Sequence, residues 1–262
     1  MIGKPKRNMK VSLITVCRNV APVIGETLDS VLGQTYPDLE VIVIDGASTD
    51  GTVEIVQQHL ADPKWRGREV KWTSEPDHGI YDAMNKGLRL ATGDIIGFVN
   101  AGDLLMTPEV VTEVVAAFAK SGVDAVYGDI IMVDEADITQ VKRTWKSGAY
   151  RRDRFAQGWM PPHIATFIRR SVYDRFGHFN TDLRIAADYE ILFRFLYKHS
   201  ILAVHVPLVL VRFRLGGMSN GSVRHVLKAN AEVRRSWKLN GMQAPPLLVT
   251  RKLWSKVMQF FH

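Results

Sequence analysis

Three short runs leave little choice of architecture: Val11-Ser12-Leu13-Ile14-Thr15-Val16-Cys17, Leu39-Glu40-Val41-Ile42-Val43-Ile44 and Ile95-Ile96-Gly97-Phe98-Val99. Each is a nearly continuous apolar stretch rich in β-branched residues, as expected of strands covered on both faces of a parallel sheet. Between the first two, Ile24, Leu28, Val31 and Leu32 recur at helical spacing and Gly33 follows. A second helix is expected from Thr52, with Val53, Val56 and Leu60 on one side, and Val70–Thr73 reads as a shorter third strand. Strand–helix–strand–helix–strand is the signature of a right-handed parallel α/β sheet. The turns after the strands are polar and carry glycine, so ligands are expected at the carboxyl edge of the sheet. The chain has 262 residues, 46% of them hydrophobic, enough to build a sizeable core in one large domain or two tightly joined subdomains.

Further along, a helix is expected over Pro108–Lys120 with Thr107 as its N-cap, then a strand over Ala125–Val133 that 140–145 could pair with. Residues 151–162 read as irregular because of Pro161-Pro162, His163–Ile168 as a strand and Ser171–Phe176 as a short helix stopped by Gly177. Ala186–Tyr197 is a strong helix pattern, and Leu202–Val211 a last strand that tolerates Pro207 at an edge or bulge. Residues 215–221 are the plausible hinge. Leu247–Phe261 reads as an amphipathic helix with Arg251, Lys252 and Lys256 opposite Leu253, Trp254, Val257, Met258 and Phe261.

The net charge of +7 is uneven, since residues 211–262 hold ten Lys/Arg and a single acid, Glu232. A basic tail on an acidic body points to an anionic surface or partner, a membrane interface among them, or is simply a solvated helix face or a helix packed on the body or a second subunit. It does not point to nucleic acid, because aromatics do not alternate with the bases as a stacking platform requires. The lone Cys17 excludes a disulfide within the chain and fits a reducing compartment. No segment reaches the ~18 apolar residues of a membrane span, and the start of the chain is a poor signal peptide, so a cytoplasmic protein is expected, peripheral on the inner face of the membrane.

Several constellations carry chemistry. Asp45 ends a buried strand before Gly46 and the turn Ser48-Thr49-Asp50-Gly51, where a carboxylate can meet a base or ribose, or simply cap the next helix. Gly79, Asn85 and Lys86 offer close backbone approach and a cation for phosphate. Neither a P-loop nor a G-x-G-x-x-G follows any strand, which argues against a P-loop nucleotidase and a nicotinamide enzyme. Asn100 and Asp103 close the third run, and one such carboxylate serves a hard divalent ion that arrives with its diphosphate. Asp188 and Glu190, two apart on a helix, diverge, so one of them could face the pocket as a general base. His163 with Trp159 could form a sugar platform.

Taken together, Thr15–Asn19, Asp45–Thr52, Glu75–Gly87, Asn100–Asp103, His163–Phe167, Gly177–Phe179, Ala187–Glu190 and Gly216–Ser219 resemble the family 2 glycosyltransferases with the GT-A fold. The likeness runs in order over about residues 10–220 and is strongest toward bacterial colanic-acid and exopolysaccharide transferases. It implies a single Rossmann-like, mostly parallel sheet flanked by helices over 1–220. The nucleotide-sugar half would span about 10–103 and the acceptor half about 104–220, with basic amphipathic helices over 221–262. It implies inverting transfer from a UDP-, GDP- or dTDP-linked sugar to a saccharide or polyprenyl-diphosphate-linked acceptor, with Asp188 as base and Asp103 holding Mn²⁺ or Mg²⁺. Thr15, Arg18, Asn19, Asp45, Ser48, Gly79, Tyr81, Asp82, Asn85, Lys86 and Asn100 would contact the donor, and Trp159, His163 and Glu190 the acceptor. The chain departs from the family pattern at Asn100 and Gly102, where acids are common, and at Ala187, where an acid often precedes the base. The alternative is a non-catalytic nucleotide-sugar-binding or membrane-scaffold protein built on the same fold.

Overall fold

The computed structural model describes residues 9–216, 223–246 and 248. The expected alternation opens the chain: β1 (Val11–Cys17), α1 (Ala21–Leu32), β2 (Leu39–Asp45), α2 (Thr52–Ala61), β3 (Glu69–Ser74), α3 (Ile80–Leu90) and β4 (Ile95–Phe98). The second half follows with β5 (Leu104–Leu105), α4 (Val110–Ser121), β6 (Ala125–Val133), β7 (Val141–Trp145), β8 (Thr166–Arg169) and α5 (Arg170–Phe176). Then come α6 (Ala187–Leu192), which runs on into a π-turn over Phe193–Lys198, β9 (Ala203–Arg214) and α7 (Val223–Leu239).

One sheet holds all nine strands, in the order β3-β2-β1-β4-β8-β6-β9-β5, with β7 against β6. β1 to β4 are mutually parallel, and β6 and β9 are parallel to each other. β8 runs opposite to both β4 and β6, so β6 and β9 point the same way as β1. The carboxyl ends of six strands therefore meet on one edge, together with the start of β8.

Both faces of this sheet are covered, which is why β1 and β2 are apolar at nearly every position. Ile14, Val16, Ile42, Ile44 and Phe98 pack with Met84, Leu88, Tyr173, Phe193 and Trp237 under α3, α5, α6 and α7. The intervening Leu13, Val41, Val43 and Ile95 pack with Leu28, Val56, Val114 and Phe118 under α1, α2 and α4. Each fully buried side chain of this size contributes about 1.5–3 kcal/mol, so the alternation of faces fixes strand register.

Three local expectations differ. Thr107 does not cap α4: its hydroxyl accepts the Glu109 N–H at 3.3 Å, and the helix starts at Val110. Residues His163–Ala165 form a 3₁₀ turn, because Pro162 leads in and the Thr166 hydroxyl donates to the Pro162 carbonyl at 2.7 Å, so β8 starts only at Thr166. β5, two residues long, pairs antiparallel with β9 and has no pattern of its own. Pro207 does sit at a bulge, since the β6–β9 register shifts between Tyr127 and Asp129 as His205 gives way to Val209. The expected helix over 247–261 and most of the hinge over 215–221 lie outside the described residues. Among the described residues no helix is long and apolar enough to cross a membrane.

One buried charge ties the amino edge together. Glu40, fully buried, accepts from Ser12 Oγ at 2.5 Å, Lys71 Nζ at 2.5 Å, and Thr92 N and Oγ1 at 2.9 and 2.8 Å. Against the cost of burial, these donors hold its carboxyl well below the usual 4.5. A depressed folded value means the stabilisation is complete above the unfolded value and fades as pH falls below it. Glu40→Gln should cost on the order of 2–4 kcal/mol at pH 7, and the gap from wild type in thermal melts should narrow toward pH 3. An unchanged gap at both pH values would contradict this account.

Candidate active site at the carboxyl edge

One side of the site is assembled from the ends of β1, β2 and β3. Asp45 is fully buried, and its carboxylate accepts the Ser48 N–H at 2.9 Å, the Ser48 hydroxyl and the Ser74 hydroxyl at 2.6 Å. Asn19, at φ 51°, donates its N–H to Ser48 Oγ at 2.8 Å and accepts the Thr49 N–H on Oδ1 at 2.9 Å. These bonds lock the turns after β1 and β2 together. Burial beside Asp45 pushes the Cys17 thiol far up, so it stays an inert thiol.

The loop before α3 folds onto this base. Asp77 Oδ1 accepts the Gly79 N–H at 2.8 Å and lies 3.9 Å from Arg18 Nη1, while a Cβ at Gly46 would overlap the Asp77 carboxylate. Gly79 has φ 119°, a conformation closed to other residues. Lys86 Nζ binds the Pro76 carbonyl at 2.7 Å and Glu75 at 2.8 Å, Asp82 accepts the His78 N–H at 3.1 Å, and Arg184 Nη1 donates to the His78 carbonyl at 2.6 Å. Asp77 and Arg184 were not singled out from sequence. Asp77 stands in the Pro76–Gly79 turn, two residues before the glycine it caps, whereas nothing near Arg184 signals a contact with residue 78.

Beyond β4, the Gly102 N–H is held by Thr27 Oγ1 of α1 at 2.9 Å, and the Asp103 N–H donates to the Asn100 carbonyl at 3.0 Å. Asp103 is 4% exposed, and its Oδ1 accepts the Arg214 N–H at 3.3 Å. Burial pushes its carboxyl up to about 8, opposed by Arg214. The Arg214 guanidinium reaches the carbonyls of Gly102 at 3.3 Å and Glu135 at 3.0 Å and the carboxylate of Glu26, strapping α1 to the ends of β6 and β9. Among the described residues, the buried side-chain oxygens Thr15 Oγ1 and Asn100 Oδ1 have no protein partner. Among the described residues no three His, Cys, Asp or Glu side chains gather as a metal cage. Asp103 and the orphan Asn100 Oδ1 fit only an ion that brings most of its ligands with it, as Mg²⁺ does with a diphosphate.

On the other side, Asp188 lies half-buried in the first turn of α6. Its Oδ1 accepts the Tyr189 N–H at 2.7 Å and stands 3.4 Å from the Tyr81 hydroxyl, which donates to the Ile185 carbonyl at 2.8 Å. Burial and the Asp188 charge push the Tyr81 phenol far up, so it remains a donor. His163 is wedged between Phe98 and Phe179, with ring centroids 5.3 and 5.4 Å away. Burial lowers its pKa against the pull of Asp188, so it is neutral near pH 7.

Four more of the expected contact residues have protein partners. Asn85 pairs both ends of its amide with the Phe179 backbone at 2.9 and 3.0 Å, and Lys86 is spent on the loop at Pro76. Trp159 is buried, donates Nε1 to the Ser147 carbonyl at 3.1 Å and carries the Arg154 guanidinium 4.6 Å over its ring. Glu190, 3% exposed, is held by Arg194 through two bonds of 3.0 Å and by Asn240 at 2.8 Å. A separate cavity of about 430 Å³, lined by Asp124, Arg175 and His199 among others, opens at the opposite, amino edge.

Comparison with known proteins bears on the family and the fold. Residues 12–177 match the family described as glycosyl transferase family 2. A PGL/p-HBAD biosynthesis glycosyltransferase of Mycobacterium tuberculosis is 32% identical over 211 residues, which is 80% of this chain and 78% of the relative. A mannosyltransferase from Pyrobaculum calidifontis, solved with GDP-Man and Mn²⁺, superposes with a TM-score of 0.67 at 22% identity over 96% of this chain and 71% of its own. Residues 1–349 of TarS from S. aureus, solved with UDP-GlcNAc, superpose with a TM-score of 0.66 at 18% identity over 94% of this chain and 73% of theirs. The fold is that of these GT-A enzymes.

The contact of Gly46 with Asp77 gives a direct test of the donor side. Gly46→Ala should displace the Asp77–Gly79 loop and weaken nucleoside diphosphate binding tenfold or more in calorimetric titration, with a loss of about 1–3 kcal/mol in stability. Wild-type affinity in that variant would show that the loop takes no part in binding.

Proposed function

The chain belongs to the family 2 glycosyltransferases, and on that premise we propose that it transfers a sugar from a nucleotide-sugar donor to an acceptor hydroxyl with inversion, using Asp188 as general base. The observation that carries this reading is the contact of Tyr81, in the first turn of the donor-side helix α3, with Asp188 and the Ile185 carbonyl at the entry to α6. A carboxylate thus stands beside the donor loop, partly exposed, where an incoming hydroxyl can reach it.

In the proposed reaction the Asp188 carboxylate takes the proton of the acceptor hydroxyl as that oxygen bonds to the anomeric carbon. The bond from the same carbon to the diphosphate oxygen breaks on the opposite face, the nucleoside diphosphate departs, and the centre inverts. Asp45, Ser48, Asn19 and the orphan Thr15 Oγ1 support a place for the nucleoside, and the Asp77–Gly79 loop a place for the diphosphate. Asp103 and Asn100 would hold a divalent ion, Mn²⁺ or Mg²⁺, which when bound neutralises charge on the leaving diphosphate. In this reading Asn85, Lys86 and Glu190 position the site instead of touching ligands. Neutral His163 and the covered Trp159 shape the acceptor side.

The proposed acceptor is a saccharide or a polyprenyl-diphosphate-linked saccharide at the inner membrane face. The exposed side of α7 supports this: Val226, Leu227 and Leu239 are 43, 65 and 45% exposed beside Lys228, Arg234, Arg235 and Lys238. Such a mixed apolar and basic face suits an anionic lipid surface.

Asp188→Asn should lower kcat by roughly 10²–10⁴ while donor affinity, measured with and without Mn²⁺ or Mg²⁺, stays near wild type. Wild-type turnover in that variant would refute the assigned base. For the membrane reading, the protein should float with vesicles containing anionic lipid, and Leu227→Glu should reduce the floated fraction severalfold. Equal flotation with purely zwitterionic vesicles would contradict an electrostatic interface.

A further inference from the structure

α6 lacks a cap of its own: the side chain of its N-cap residue, Ala186, can make no capping bond, and the N–H groups leading into the helix need acceptors from elsewhere. The acceptor comes from α7. Glu232 Oε1 accepts the Arg184 N–H at 3.2 Å, and its Oε2 accepts the N–H groups of Ile185 at 2.8 Å and Ala186 at 2.9 Å. Glu232 is the single acid among ten Lys/Arg over residues 211–262, yet among the described residues none of those cations forms an ion pair with it. Glu232 is 8% exposed, and its carboxylate accepts from backbone N–H groups. A buried carboxylate is tolerated when hydrogen-bond donors replace the water it loses, and three N–H groups do so here.

This cap acts on the turn that carries Asp188. The Ile185 peptide is gripped from both sides, its N–H by Glu232 and its carbonyl by Tyr81. On the far side of Asp188, Trp237 Nε1 donates to the Tyr189 hydroxyl at 2.9 Å and Asn240 Nδ2 to Glu190 Oε1 at 2.8 Å, both from the end of α7. Residues 185, 186, 189 and 190 are thereby fixed to α7 or to α3, and Asp188 is left with the half-exposed side of the turn.

We infer that Glu232 is a positioning residue for the reaction: by closing on the backbone of Arg184–Ala186 it sets the place of the Asp188 carboxylate, and α7 is a working part of the catalytic unit. The inference rests on the reading of Asp188 as base. A displacement of about 1 Å at a reacting group can cost on the order of 10² in rate, which gives the scale of the effect. Glu232→Gln puts an NH₂ against one of the three donors, and Glu232→Asp withdraws the carboxylate by one methylene.

The test is steady-state kinetics on the full-length variants, with donor affinity measured separately and folding followed by circular dichroism. Glu232→Gln should fold, bind donor within about threefold of wild type and lose tenfold or more in kcat. Glu232→Asp, which keeps the charge, should recover part of that loss, and it carries the test alone if Glu232→Gln does not fold. Wild-type kcat in either folded variant would overturn the inference, as would a parallel loss of donor affinity, kcat and folded structure in both. Asp188→Asn in the same assay separates the two readings. If it turns over normally, the base assignment fails. If it is inactive while Glu232→Gln is normal, only the positioning role fails.

Discussion

A strand buried on both faces can carry a polar side chain inside the sheet only where partners are built in for it, as for Glu40, and is free to turn polar where it leaves the sheet. Six of the nine strands here leave on the same edge, and that constraint governs the placement of the chemistry. Asp45, Ser74, Asn100, Asp103 and Arg214 stand at or just past the ends of β2, β3, β4 and β9. Backbone groups at such an edge must find partners outside the ladder, and side chains supply them: Asp45 for Ser48, Asp77 for Gly79, Thr27 for Gly102. Much of the hydrogen bonding that holds the edge together also shapes the surface proposed to bind the donor. The two buried oxygens without partners, on Thr15 and Asn100, are the places where that internal satisfaction is incomplete.

Two polar contacts join the halves of the edge beside the proposed base. Tyr81 reaches from α3 to Ile185 and Asp188, and Arg184 reaches back to the His78 carbonyl. A phenol kept protonated by burial can bridge a carbonyl and a carboxylate without competing for a proton at neutral pH. This arrangement ties the loop proposed to meet diphosphate to the carboxylate proposed to take the proton, so a shift in one is felt at the other.

Local patterns were legible in the sequence because they depend on neighbours in the chain. The apolar runs of β1, β2 and β4 and the helical spacing of α1 and α6 follow from burial on known faces, and Pro207 announced its bulge. What failed or was absent depends on residues far apart. Thr107 reads as a cap until its hydroxyl turns to Glu109, and His163 reads as strand until Thr166 closes on Pro162. The two-residue β5 exists only because β9 lies beside it. Asn85 was expected among the donor contacts through the family resemblance, and its pairing with the Phe179 backbone, 94 positions away, had no signal in the sequence. Glu232 was visible only as an oddity of charge, one acid in a basic stretch, and its task needs the fold to bring α7 onto α6.

The central claim is a single displacement in which Asp188 deprotonates the acceptor while the nucleoside diphosphate leaves from the opposite face. The stereochemistry of the product tests it most directly. With an α-linked nucleotide sugar and a defined acceptor, proton NMR of the product formed in early turnover should show the β-anomeric coupling. An α-linked product would require a second displacement or front-face chemistry, and would contradict the role given to Asp188.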